Sequence, residues 1–154
     1  MQRRGMRIAR YVGEMTVDLK FDHIHLISRD AKAAAHWYEN MLAGEILASY
    51  ELRDALQVNI RVGGAVLIIR DTRPGESPVE TRPMQDFVGY SSHDEWGTDH
   101  FGYTYYGDLD ALAQELTDKG ATFSVAPWEF NPGTRLCYLS APDGVSIEIV
   151  EGRK

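Results

Sequence analysis

At 154 residues, with 44% apolar and 25% charged side chains, the chain has the size and composition of one globular domain able to bury a core without disulfides. A formal charge of -7 argues against a nucleic-acid partner, and no apolar run approaches the ~20 residues of a membrane span, so no membrane partner is expected. The single cysteine, Cys137, excludes an intrachain disulfide and points to a reducing compartment, the cytoplasm.

Residues 1–20 carry Arg3, Arg4, Arg7 and Arg10 without the apolar core of a secretory signal and are read as a leader or an extra strand. Phe21–Ser28 reads as a buried strand on which His23, His25 and Ile27 share one face. Asp30 is the expected N-cap of a helix from Ala31 to Leu42 that stops near Gly44, with Ala34, Trp37, Tyr38 and Met41 on its apolar stripe. Strands over 46–52 and 56–62 follow, and Gly63-Gly64 is a hairpin signal into a strand over 65–71. Residues 21–71 therefore form a βαβββ module.

Residues 72–97, with Pro74, Pro78 and Pro83, lack a period and are read as a linker. Its far end, from Tyr90 to Gly97, is rich in functional groups and could fold over a pocket mouth. From 98 to 151 the first module recurs. Asp99-His100 repeats Asp22-His23 at 77 positions' distance, Asp108 opens a helix carrying Leu109, Leu112 and Leu116, and strands are expected over 122–125, 134–139 and 145–150. The closing strands align at a constant offset of 80, which sets Glu148 where the first copy has Ile68. The expectation is a single α+β domain over 21–151, built from two βαβββ modules.

His23, His100 and Glu148 occupy matching places in this duplication. A glutamate in the apolar strand Val145–Val150 needs a partner or a metal, since an unpaired buried carboxylate is costly. Two imidazoles and a carboxylate suit zinc, iron, manganese or nickel, and three donors leave positions open for chemistry. His25 is a candidate general acid or base because imidazole titrates near neutrality, and His93 on the linker is a second, a solvent-exposed loop histidine being its plainer reading. Asn59, Arg61 and Arg70 lie on strands that could line the same cleft, where an arginine would suit an anionic substrate, and His36 reads as a surface residue.

Asp22-His23, Asp30, Trp37-Tyr38, Asp99-His100 and the run from Ala141 to Glu148 together resemble the vicinal oxygen chelate superfamily of glyoxalases, extradiol dioxygenases, fosfomycin thiol transferases, an epimerase and bleomycin-binding proteins. The resemblance implies a curved mixed sheet around a metal held by His23, His100 and Glu148, a small substrate with adjacent oxygens, and a homodimer. It also implies that Tyr138, ten positions before Glu148, lies near the metal. Ile68 stands where glyoxalase I and the epimerase carry a fourth donor, which leaves a three-donor site and favours an Fe(II) ring-cleaving dioxygenase. Trp128 and Glu129 depart from the thiol-transferase and dioxygenase patterns respectively. A redox-neutral lyase, isomerase or thiol transferase using Mn(II), Ni(II) or Zn(II) stays open, as does a small-molecule-binding protein.

Overall fold

The computed structural model describes residues 19–87 and 90–153. The leader or extra strand expected over 1–20 lies, apart from Leu19 and Lys20, outside the described residues. The chain runs β1 (His23–Ser28), α1 (Ala31–Leu42), β2 (Glu45–Glu51), β3 (Leu56–Val62) and β4 (Ala65–Asp71), then β5 (Gln85–Phe87) and β6 (Tyr90–Ser92), then β7 (Phe101–Tyr105), α2 (Leu109–Asp118), β8 (Thr122–Asn131), β9 (Thr134–Ser140) and β10 (Ser146–Glu151).

The duplication is visible in the topology. One four-stranded sheet has the order β1-β4-β3-β2 and the other β7-β10-β9-β8. Each is mixed, because the first strand of a module pairs parallel with its last and the remaining pairs are antiparallel. The helix starts are duplicated as well. Asp30 accepts from Ala33 N at 2.8 Å and Asp108 from Ala111 N at 3.0 Å, the side-chain capping that satisfies orphan first-turn amides. A second acid at the end of each module's last strand reaches back to the same turn: Asp71 accepts from Ala31 N at 2.6 Å and Glu151 from Leu109 N at 3.0 Å. The same capping device is thus encoded twice, the N-caps 78 positions apart and the strand-end acids 80.

Strand alternation divides each sheet into two faces. Leu67, Ile69, Val58 and Ile60 from the first module, and Leu139, Cys137, Ile147 and Ile149 from the second, are buried in one core cluster together with Tyr38, Leu109 and Leu116 of the helices. The opposite faces carry His23, His25, Asn59 and Ile68 in the first module and Tyr138, Ser146 and Glu148 in the second. No strand hydrogen bonds join the two sheets among the described residues. Their edges meet by side-chain packing, for Tyr103 of β7 sits against the Gly63 turn, where a Cβ would come within 2.8 Å of its ring. Gly63 also has a φ of +53°, so both space and backbone favour glycine there.

Two elements differ from the sequence expectation. The linker contains the β5–β6 hairpin, and Ser91 within it is buried with its hydroxyl 3.1 Å from that of Ser124 on β8, so this segment packs on the second module. Strand β8 extends through Pro127 to Asn131. A proline is tolerated there because β8 is an edge strand whose register shifts repeatedly. Leu139 is fully buried, and Leu139→Ala is expected to destabilise the fold by about 2–5 kcal/mol in urea denaturation; a change below about 1 kcal/mol would contradict the core described.

Candidate metal centre

Three side chains of the second sheet meet on its outer face. Tyr138 of β9 stands directly across from Glu148 of β10, and the phenol donates to Glu148 Oε1 at 3.0 Å. The His100 ring, just before β7, packs edge-on against the Tyr138 ring at 5.2 Å between centroids. Gly102 is the β7 neighbour of Glu148, and a Cβ there would stand at van der Waals distance from the carboxylate, 3.4 Å from Oε2.

The acids of the two Asp-His pairs orient the rings. Asp99 Oδ2 accepts from His100 Nδ1 at 2.9 Å, and Asp22 Oδ2 accepts from His23 Nδ1 at 2.5 Å. In both cases Nε2 is the nitrogen left to coordinate, the arrangement in which a carboxylate behind a histidine fixes its tautomer and raises its basicity. Asp99 also accepts from Ser92 Oγ and from His93 N, each at 2.8 Å. Burial works against the Asp99 charge, but the hydrogen bonds from His100, Ser92 and His93 outweigh it and hold the acid below the usual carboxylate range. Tyr138 is pushed up to about 12, first by burial and then by its bond to Glu148. Burial, aided by the Glu148 charge, likewise pushes Cys137 up to about 12, so the lone thiol is an inert core group.

The first module presents the matching face with its polarity exchanged. Its cross-strand pair is His25 and Ile68 where the second module has Gly102 and Glu148, and Asn59 stands across from Ile68 as Tyr138 does from Glu148. Burial, then the positive charges of Arg70, His23 and Arg73, lower the pKa of His25, so its ring is neutral around pH 7. His23 and His25 lie on one face with centroids 6.1 Å apart. Among the described residues no three His, Cys, Asp or Glu side chains converge closely enough to hold a metal: His100 and Glu148 are gathered around Tyr138, while His23 contacts Asp22 and His25. The donor chemistry nevertheless fits a divalent cation, with two imidazoles held through Nδ1 and one carboxylate.

His93 is not the exposed loop residue of the plainer reading. It is 5% exposed, its Nδ1 donating to the Arg82 carbonyl at 3.0 Å, and it shares a cavity of about 270 Å³ with His25, Asp99, His100 and Ser146. Arg70 is not free for an anionic substrate, because its guanidinium is buried against Glu76 and the Asp71 carbonyl. Arg61 pairs with Glu45, and His36 is exposed beside Glu39. Ser146, absent from the sequence reading, faces the same side as Glu148 two positions away, and strand alternation was the signal that could have found it.

The fold agrees with the comparisons. The chain matches the family model for the Glyoxalase/Bleomycin resistance protein/Dioxygenase superfamily over residues 20–149, and it belongs to that superfamily. It is similar in structure to a glyoxylase/bleomycin resistance protein/dioxygenase domain from Frankia sp. EAN1pec, with 22% identity, 88% of this chain and 98% of that chain covered, and a TM-score of 0.66. A glyoxalase family protein from Bacillus cereus gives 15% identity, 90% and 97% coverage and a TM-score of 0.70. The fosfomycin resistance protein FosX from Listeria monocytogenes, in a complex with Mn(II) and sulfate, gives 14% identity, 87% and 93% coverage and a TM-score of 0.59. Comparison with curated proteins finds no match. No helix among the described residues is long and apolar enough to cross a membrane.

With the Tyr138 phenol labelled at Cζ, its carbon resonance is expected to remain that of the neutral form at pH 10, where an ordinary tyrosine is half ionised. Glu148→Gln lowers the midpoint while burial keeps it above 10. A native midpoint near 10 would put the hydroxyl in water rather than on Glu148.

Proposed function

We propose that this chain is a metal-dependent enzyme acting on a small molecule through two adjacent oxygens, with His23, His100 and Glu148 as the protein donors. The observation that carries the reading is the grouping of Glu148, Tyr138 and His100 on one face, with Asp99 fixing the His100 ring. A divalent metal there would supply Lewis-acid stabilisation of negative charge on chelated oxygens and, as Fe(II), dioxygen chemistry.

The chain's own groups supply the rest. Tyr138 remains protonated at physiological pH and can turn its hydroxyl from Glu148 toward a substrate oxygen that gains charge. His25, neutral by virtue of its surroundings, is the proton acceptor. His93 acts from the wall of the cavity that it shares with His25 and His100. Oxidative cleavage of a catechol-like ring is the first reading, supported by a donor set that lacks a fourth member, Ile68 being unable to coordinate, and by Tyr138 beside Glu148. The likeness to FosX with Mn(II) favours a second, redox-neutral reading in which the same face promotes addition or isomerisation with Mn(II), Ni(II) or Zn(II).

Elemental analysis after anaerobic purification tests this. The expected result is about one iron per chain, lost in Glu148→Ala and in His23→Ala, with dioxygen uptake on adding a catechol. Stoichiometric manganese, nickel or zinc without dioxygen uptake would move the assignment to the redox-neutral reading. Absence of metal, and none taken up on addition, would leave a small-molecule-binding protein.

Two copies are proposed to pair. Leu47 and Tyr50 on β2, Leu52 just after it and Phe130 on β8 are exposed apolar side chains along sheet edges, which invite cover. Light scattering on the eluting protein should give twice the chain mass, and the chain mass itself would contradict pairing.

A further inference from the structure

A crevice of about 690 Å³, much larger than the 270 Å³ cavity beside His100, lies on the other side of β7 and β10 from Glu148. Strand register sets Gly102 beside Glu148 on one face and Tyr103 beside Ile149 on the opposite face, and it is Tyr103 and Ile149 that line the crevice. Met41, Leu42 and Val62 of the first module and Leu112 of α2 continue the apolar wall, so both modules contribute to it. They meet there through the Tyr103 ring packed on Gly63. The volume falls within the ~300–1,000 Å³ of small-molecule sites, whose apolar walls supply the burial while a few polar groups fix orientation.

The charges along the crevice decide what kind of molecule fits. They are Glu39, Glu115 and Lys119. Lys119 is engaged by Glu115 at 2.6 Å, whereas among the described residues Glu39 is matched only by His36, an imidazole charged only when protonated. Helix α1 also ends here, at Leu42 and Ala43, with no basic residue in its last turn, so the negative end of its dipole adds to the Glu39 carboxylate. An anion would meet this field with one ammonium that is already paired. A neutral apolar molecule would fill the wall and leave the Glu39 charge unanswered. A cation answers it, and Tyr105 and Tyr106 add aromatic surface of the kind that attracts an ammonium. Glu39 is well exposed, so water screens the ion pair; burial of the apolar body supplies most of the affinity and the charge supplies the preference.

We infer that this crevice is a second binding site, for an organic cation: a ring system carrying a protonated amine, with the ring against Met41, Tyr103 and Leu112 and the ammonium at Glu39 and the end of α1. The site lies behind the strands that carry the proposed metal face, so it needs no metal and stands independently of the proposed chemistry.

The test follows the backbone amides of the full-length protein by heteronuclear NMR during titration with tryptamine, tryptophol and indole-3-acetate, which share the indole ring and carry a positive, a neutral and a negative side chain. Tryptamine is expected to shift the amides of residues 39–43, Gly63 and residues 103–106 saturably, equally with and without one equivalent of Zn(II). It should bind about threefold tighter than tryptophol, the scale of an exposed ion pair, and about tenfold tighter than indole-3-acetate. In Glu39→Gln, with the melting temperature unchanged, tryptamine and tryptophol should bind alike. Tryptophol or indole-3-acetate binding the native protein as tightly as tryptamine, a preference that survives Glu39→Gln, or binding seen only with zinc would each overturn the proposal. So would saturable shifts confined to the side of His93 and Asp99, or no saturable shift at all, as when a second copy covers the crevice. None of these results bears on the metal donors.

Discussion

Glu148 projects, half-buried, from a strand whose neighbours Ile147 and Ile149 are buried in the core, and the hydrogen bond that Tyr138 donates to its carboxylate across the strand pair is the interaction around which the second module's outer face is arranged. His100 packs edge-on against the Tyr138 ring and so stands beside the same pair. Replacing Glu148 by an apolar residue would leave the Tyr138 hydroxyl without this acceptor.

The duplication explains why the two modules look alike and act differently. Both use an N-cap aspartate and an acid at the end of the last strand to fix the helix start, so the scaffold is copied faithfully. On the outer faces the copies diverge. The second module pairs glycine with glutamate, whereas the first pairs histidine with isoleucine at the same register. One half thus offers a carboxylate and the other an additional imidazole, a division that gives the proposed site its donor on one side and its proton acceptor on the other.

Much of this was legible in the sequence because it depends on local rules. The caps at Asp30 and Asp108, the Gly63-Gly64 hairpin and the alternation that places His23 with His25 are short-range patterns, and the repeat made each readable twice. What escaped depends on contacts between distant segments. The β5–β6 hairpin has no apolar period and takes its place from packing on β8. His93 is buried because Asp99 and the Arg82 carbonyl hold its loop, and Arg70 is consumed by Glu76, a residue in a proline-rich stretch with no pattern of its own. The meeting of the two modules rests on side-chain fit such as Tyr103 against Gly63, which no periodicity announces.

The central claim is that imidazoles from both modules serve one metal together with Glu148. Pulsed electron paramagnetic resonance on the protein loaded with one equivalent of Cu(II) counts coordinated imidazoles through their remote nitrogens. The account predicts two imidazoles in the native protein and one in His23→Ala and in His100→Ala. A single imidazole in the native protein, unchanged by His23→Ala, would contradict a site shared between the modules.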